Sequence, residues 1–308
     1  MEHIFDKSYT FNSKTVIDCK TCGYKHLYPI PTPAELDEFY KMQYWNTEEN
    51  KKTKVQFIST NDRIDDNEIL NNRDFNNMFN VIDKEIVSTN EKKRMMDIGC
   101  GTSLVVYFFK LKSYETYFIE PNESAVDSLT QLGLSGSMSN FENFDFDSIG
   151  KFDFINLSFV LEHVINPTEL IENVKKCLKP NGIVRISVPN DFSKSHLIYL
   201  NQCGGEAKWI NYPDHVNYFN FDSLKSFIET KGFKEFYRST SYPLDLLLIQ
   251  GYDYYKNDEL TVNISNMIDY FENNLIEDNT LNSYYESLAN TGFGRSTVIY
   301  FKNTEMVL

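Results

Sequence analysis

With 308 residues, 41% of them hydrophobic, the chain can bury a substantial core as one large domain or two modest ones. It carries 44 Asp and Glu against 30 Lys and Arg. The resulting formal charge of −14, with no sizeable basic patch to offset it, excludes a nucleic-acid polyanion as partner. Five scattered cysteines, an N-terminus without the basic and apolar regions of a signal peptide, and no apolar run of spanning length predict a cytoplasmic protein without a membrane partner.

Residues 1–31 read as a small strand-and-turn cap. Cys19-Lys20-Thr21-Cys22-Gly23 places two thiols at zinc-ligand spacing, with His26 as a third candidate ligand and His3 as a distant fourth. There is no second C-x-x-C, so the expectation is a tight turn with two free thiols and no metal. Zinc at Cys19 and Cys22 is the alternative. Thr32-Pro33-Ala34-Glu35 is a capping box with proline at the first helical position, and the helix it opens runs toward Tyr44-Trp45. Residues 46–65 are polar and read as a linker or lid. From Asp66 to Ser88, the spacing of Phe75, Phe79, Ile82 and Ile86 predicts one helix.

Arg94–Ile98 reads as a buried strand that breaks into Gly99-Cys100-Gly101 and then a helix from Ser103 to about Lys110. The two glycines allow a tight turn and close approach of a ligand to main chain. The helix end offers free N–H groups and a positive dipole. Asp97, at the strand's end, can accept a hydrogen bond from a ligand. A dinucleotide fingerprint needs glycine at position 104, and Leu104 stands there instead, which disfavours a nicotinamide dehydrogenase. Thr116–Glu120 is a second strand ending in an acid, 23 residues after Asp97. A carboxylate at that point can accept both hydroxyls of a ribose. Pro121-Asn122 leads into a helix over Ser124–Leu132.

Residues 133–151 are loop-rich. Phe152–Ser158 is a third buried strand, continuing through Phe159 to Glu162-His163-Val164. Asn166-Pro167 caps a helix with Leu170, Val174, Cys177 and Leu178 on its apolar face. Lys179-Pro180-Asn181-Gly182 stops that helix before a strand over Ile183–Val188. Asn190–Asn217 is a long connection without a strong period, holding His196, Trp209, Tyr212, Asp214 and His215, and connections of this length are usually functional. His215 is the first candidate for a general base, assisted by Asp214 or Asp191, with a structural histidine as the rival reading. A helix from Phe221, a strand over Phe233–Ser239, helical stretches at Ser265–Leu275 and Leu281–Leu288, and a last strand over Ser296–Lys302 complete the chain.

Asp97-x-Gly99-x-Gly101 resembles motif I of the class I S-adenosylmethionine (SAM) dependent methyltransferases, with Ser103 where that family more often has a third glycine. The string F-D-x-I…L-E-H-V…P…L-K-P-N-G…I-S-V-P-N, from Phe152 to Asn190, resembles the same family almost end to end. So do the Pro31–Tyr44 segment and the turn Asp214–Phe219. That family often carries two cysteine knuckles before the catalytic domain, of which only the second is present here. The resemblance, together with the alternation of strands and helices, implies an α/β fold: a Rossmann-like, doubly wound, seven-stranded and mostly parallel sheet. The expected division is a cap and linker over 1–65, a SAM-binding core over 66–240, a helical insertion over 241–295 forming an acceptor lid or a dimer contact, and the last core strand over 296–308.

The resemblance also implies SAM as cofactor, with S-adenosylhomocysteine as product. It points to Asp97, Gly99, Cys100, Gly101, Glu120, Pro121, Ser158, Phe159 and Tyr44 around the cofactor, and Asn140 and Phe141 at the adenine. His163 is a candidate either for base or for local shaping of the cleft. The implied reaction is methyl transfer to a small-molecule or sugar-like acceptor, O-methylation in glycan or secondary-metabolite biosynthesis. C- or N-methylation and a non-catalytic SAM-binding partner are the alternatives. The protein is expected to be a monomer or homodimer.

Overall fold

The computed structural model describes residues 2–42, 64–86, 91–274 and 280–304. They form two compact units: Met1–Pro31 with Ser187–Phe227 and Tyr237–Ile299, and Thr32–Ile186 with Ile228–Phe236 and Tyr300–Leu308. The strands in chain order are β1 (Phe5–Phe11), β2 (Lys14–Cys19), β3 (Tyr24–Leu27), β4 (Arg94–Ile98), β5 (Glu115–Glu120), β6 (Ser135–Met138), β7 (Phe152–Ser158), β8 (Leu178–Pro189), β9 (Asn217–Tyr218), β10 (Phe233–Ser239) and β11 (Ser296–Asn303).

Seven strands form one sheet in the order β10-β11-β8-β7-β4-β5-β6. The chain moves outward from β4 through β5 to β6 on one side, and from β7 to β8 on the other, so the order reverses at the β4–β7 pair. In open α/β sheets such a reversal opens a crevice at the strands' carboxyl ends. β4 pairs in parallel with both neighbours, and the register sets Asp97 opposite Phe118 on β5 and opposite Asn156 on β7. These strands are buried on both faces, as continuous apolar runs dictate: Met95, Met96, Ile98, Phe154, Ile155 and Leu157 are all inaccessible to solvent.

The helices lie close to where their patterns put them. Thr32 and Glu35 form the reciprocal capping box of helix Pro33–Met42: the Thr32 N–H donates to Glu35 Oε2 at 2.7 Å, and the Glu35 N–H to Thr32 Oγ1 at 3.3 Å. The single helix expected over Asp66–Ser88 is two, Asp66–Leu70 and Arg73–Asp83. The break has a local cause: the Asn72 side chain takes the N–H of Phe75 at 3.0 Å and starts the second helix afresh. Phe75 and Phe79 of that helix meet Phe108, and Phe79 also meets Phe109, at ring separations of 5.5 to 6.1 Å. The buried Phe109 in turn meets Phe154 of β7 at 5.3 Å. Helix Pro167–Cys177 ends directly in β8, so the Lys179–Gly182 stretch lies within the strand's span rather than forming a separate stop.

In the other unit, β1, β2, β3 and β9 form an antiparallel sheet. The Asn190–Asn217 connection is more ordered than its lack of period suggests. It contains helix Lys194–Gln202 and ends in β9, and its Phe192, Ala207, Trp209 and Ile210 share one apolar cluster with Val16 and Leu27. The helices Asp258–Asn274 and Thr280–Thr291 belong to the same unit, where Ile264 packs with Leu248 and Tyr254. Among the described residues, no helix is long and apolar enough to cross a membrane.

Candidate active site

The corner after β4 is built by two left-handed glycines, Gly99 with φ +67° and Gly101 with φ +54°. A Cβ on Gly99 would lie 2.6 Å from Val160 Cγ2, whereas one on Gly101 would meet nothing within 4 Å. Gly99 is therefore required by packing, and Gly101 leaves open space beside bare main chain. The helix that follows spans only Val105–Leu111, and Ser103 Oγ takes the N–H of Val105 at 3.3 Å. It starts later than expected and is seven residues long, so the corner's character comes from the glycine turn and its two acids rather than from a helix end.

Asp97 is fully buried, and a relay of side chains orients it. Arg185 Nη1 donates to Asn156 Oδ1 at 2.9 Å, which turns the Asn156 amide nitrogen toward Asp97 Oδ1, also at 2.9 Å. Asp97 Oδ2 has no hydrogen-bond partner among the described residues. Burial pushes the Asp97 carboxyl up to about 7, opposed by the Asn156 hydrogen bond and the Arg185 charge and reinforced by Glu120. An orphaned buried acceptor costs about 1–3 kcal/mol, so a donor supplied by a ligand gains correspondingly there.

Glu120, at the end of β5, is also buried. It accepts the N–H of Gly101 on Oε2 and the N–H of Asn122 on Oε1, each at 2.8 Å. These bonds tie the second acid to the glycine corner and leave further acceptor capacity on each oxygen. Burial raises its carboxyl above the ordinary value, with the two backbone donors opposing. Cys100, buried between Asp97 and Glu120, has its thiol raised by burial and by both acids, so it is no nucleophile.

A pocket of about 330 Å³ is lined by Asp97, Gly99, Cys100, Thr102, Ser103, Ser158 and Phe159. It lies where the strand order reverses. Phe159 is held at φ +55°, uncommon for an aromatic residue, and the residue is 50% exposed. A larger cleft of about 900 Å³, lined by Lys151, Lys175, Lys176 and Lys231 among others, lies at the amino-terminal end of β7 and is open to solvent. The crevice rule and the two buried acids favour the smaller pocket.

Of the residues expected around a cofactor, Asp97, Gly99, Cys100, Ser158 and Phe159 line this pocket, and Gly101 and Glu120 are bonded to each other beside it. Pro121 follows Glu120 in the turn. Asn140 and Phe141 sit in the loop after β6, where the Ser139 N–H reaches back to the Glu120 carbonyl at 3.2 Å, and neither lines the pocket. Tyr44 lies outside the described residues. The sequence reading did not single out Asn156, Arg185 or Thr102. A lone asparagine at the centre of the apolar run Phe152–Ser158 was the available signal for the first of these.

The candidate bases fall in different units, and each has an acid beside it. His163 Nε2 lies 3.9 Å from Glu162 Oε1, in a turn closed by the His163 N–H on the Val160 carbonyl. His215 Nε2 lies 4.0 Å from Asp214 Oδ2, which also accepts from the Asn211 amide at 3.2 Å. A buried ionic group occupies the same unit as His215. Asp245 Oδ1 accepts from Tyr254 at 2.6 Å and faces His196 and Arg295 at 3.2 and 3.3 Å, and His196 stacks on Trp209 with centroids 3.6 Å apart. Against the opposing effect of burial, His196 first, by charge and hydrogen bond, and then Arg295 and Tyr254 hold the Asp245 carboxyl below its ordinary range, while burial lowers His196. Elsewhere in this unit, His3, Cys19, Cys22 and His26 converge, each offering a ligand atom within 4.8 Å of the others. These are the four residues named from sequence as candidate zinc ligands, the reading set there beside that of a tight turn with two free thiols.

Comparison with known proteins identifies the family. The methyltransferase domain family model, Methyltransf_23, matches residues 71–235, more than half of the chain. The chain belongs to this family, within the class I SAM-dependent methyltransferases. It is 29% identical over 130 residues to the ubiquinone biosynthesis O-methyltransferase of Rickettsia prowazekii, covering 40% of this chain and 51% of that protein. It is 25% identical over 115 residues to the protein of the same name from Neisseria meningitidis, covering 34% and 48%. The chain thus spans about half the length of the curated relatives it matches. Among solved structures, the 1,6-didemethyltoxoflavin-N1-methyltransferase of Burkholderia thailandensis, with 1,6-didemethyltoxoflavin and S-adenosylhomocysteine bound, aligns with a TM-score of 0.51. It does so at 9% identity over 97% of this chain and all of that one, a likeness of fold.

Proposed function

We propose that the protein is a SAM-dependent methyltransferase that O-methylates a hydroxylated small molecule, and that the glycine corner after β4 holds the cofactor. The observation that carries this reading is the pairing of two buried acids at the sheet's reversal point, one with an orphaned oxygen. The corner fits the cofactor's chemistry. The methionine end of SAM is cationic and supplies an ammonium donor for Asp97 Oδ2. The ribose hydroxyls are donors for Glu120. The exposed Phe159 ring offers a π-face to a cation.

When bound, the cofactor supplies a methyl group activated by the sulfonium; attack by the acceptor oxygen breaks the carbon–sulfur bond, leaves S-adenosylhomocysteine and releases the hydroxyl proton. The protein's contribution is alignment and exclusion of water. Asp97 is kept in one rotamer by the Asn156–Arg185 relay, so its free oxygen points one way without reorganisation. Gly99 and Gly101 keep the corner bare of side chains. His215, with Asp214 beside it, is the residue we assign to take the acceptor proton. The names of the curated relatives support oxygen as the attacking atom.

The test is transfer of a labelled methyl group from SAM to a panel of phenolic, sugar and amine acceptors. The reading expects hydroxyl acceptors to be labelled, with His215→Ala lowering kcat and sparing SAM affinity. Labelling of amines alone overturns O-methylation, and SAM binding without transfer to any acceptor points to a non-catalytic binder. Normal turnover in His215→Ala removes that residue as base.

A further inference from the structure

The N-terminal hairpin brings four soft or borderline ligands to one point. Cys19 ends β2 and Cys22 sits in the turn before β3, where the Cys22 N–H is directed at Cys19 Sγ at 3.4 Å and Gly23, at φ +79°, closes the turn. His26 lies on β3, facing the same spot. His3 is sixteen residues from Cys19 and is brought in by the segment before β1. That segment is bonded to the knuckle: the Lys20 N–H to the Ile4 carbonyl at 2.8 Å, the Ile4 N–H to Thr21 Oγ1 at 3.2 Å, and Thr21 Oγ1 to the Glu2 carbonyl at 3.1 Å.

The spacing is that of ligands around a common centre. His3 Nδ1 lies 3.5 Å from Cys19 Sγ and 3.6 Å from Cys22 Sγ. A tetrahedral zinc ion with Zn–S of about 2.3 Å and Zn–N of about 2.0–2.1 Å separates a sulfur from a nitrogen by about 3.6 Å. One ring nitrogen can satisfy only one thiol by hydrogen bonding, whereas it is equidistant here from two. The fourth ligand gives an independent sign. His26 is 1% exposed, and its Nδ1 lies 2.8 Å from the Leu27 carbonyl. A carbonyl only accepts, so Nδ1 carries the proton and Nε2 carries the lone pair. That buried Nε2 has no hydrogen-bond partner among the described residues. A metal-bound histidine is held in this way, one nitrogen fixed on a backbone carbonyl and the other presented to the ion.

We infer that His3, Cys19, Cys22 and His26 form a tetrahedral structural zinc site, with two thiolates from the C-x-x-C knuckle and one imidazole from each flank. With no pair of ligand atoms further apart than 4.8 Å, closing of about 1 Å completes the shell. Two thiolates and two imidazoles leave no open position for water, so the ion is not catalytic. It fastens the segment before β1 to the β2–β3 turn.

The test is metal analysis of the full-length protein purified under reducing conditions without added chelator. The expected result is about one zinc per chain. Cobalt replacing it should give the intense visible bands of tetrahedral coordination together with thiolate-to-metal charge transfer. Cys22→Ser and His26→Gln should lose zinc affinity by more than the ~10–100-fold that follows loss of a partner that merely orients a ligand. Cys203→Ser, an exposed cysteine outside the cluster, should retain the metal. If the ligand variants fail to fold, the cobalt spectrum of the unaltered chain still decides. Absence of zinc, an octahedral cobalt spectrum, or a Cys19–Cys22 disulfide in the purified protein by mass overturns the site.

Discussion

The raised carboxyl of Asp97 makes SAM affinity pH-dependent in a range where most carboxylates are already ionised. In the free protein this group titrates near 7, because it is buried with only the Asn156 amide and the more distant Arg185 charge to stabilise its anion. A cationic ligand donor on Oδ2 favours the ionised form, so binding releases a proton when it starts from the protonated state. From pH 7 to pH 5 the ionised fraction of a group titrating at 7 falls from about one half to about one hundredth. Affinity should fall about 50-fold, or about 2.3 kcal/mol, provided the group stays ionised in the complex. Isothermal titration of SAM across this range measures it. Asp97→Asn should bind far more weakly at pH 7 and lose most of the slope, keeping only what Glu120 contributes. A wild-type affinity that is flat between pH 7 and pH 5, or an Asp97→Asn variant that reproduces the wild-type curve, refutes the reasoning. The linkage also acts on folding. A carboxyl raised in the native state binds protons more tightly than in the unfolded chain, so its contribution to stability is present below about pH 4 and lost as pH rises through 7.

Other substitutions separate packing from binding. Glu120→Ala removes the acceptor for the Gly101 and Asn122 N–H groups, and should reduce SAM affinity by at least tenfold in the same titration, an order of magnitude for one lost charged hydrogen bond. Gly99→Ala forces a Cβ into Val160 at a left-handed backbone position and should destabilise the fold by about 1–3 kcal/mol in urea denaturation. Gly101→Ala meets no atom within 4 Å, so it should cost only about 1 kcal/mol in stability while its methyl obstructs the ligand. Asp245→Asn takes the buried acid away from Arg295, whose side chain is 34% exposed, and should cost about 1–3 kcal/mol. Because His196 is depressed in the fold, the stability it contributes is full above about pH 6.5 and is lost as pH falls below that value, which a pH series of melting curves reads directly.

The parts of the fold written most clearly in the sequence are those where one residue type answers one physical need. Buried parallel strands require apolar-rich stretches, and β4, β5 and β7 lie where such stretches are, interrupted at Asp97 and Asn156. A left-handed turn requires glycine, and Gly99 and Gly101 supply it. The Thr32–Glu35 box is visible because both its bonds join residues three apart. What remained hidden depends on pairing between distant segments. The Arg185–Asn156–Asp97 relay exists only because β7 lies between β8 and β4. His3 was named as a distant fourth ligand, but the bonds that fold the chain before β1 back on Thr21 and so bring it to the knuckle have no local signal. Helix Lys194–Gln202 escaped notice because its fully buried side chains are Ser195 and His196, of which His196 faces Asp245, and its apolar Tyr199 and Leu200 are only partly buried.

The central claim is that the corner between Asp97 and Glu120 holds the adenosyl cofactor. A crystal structure of the full chain grown with S-adenosylhomocysteine tests it most directly. The account predicts the amino-acid end of that molecule on Asp97 Oδ2, its ribose on Glu120, and its sulfur over the bare backbone of Gly99–Gly101. The same molecule bound elsewhere, with the corner empty and Asp97 Oδ2 still unpaired, would contradict it.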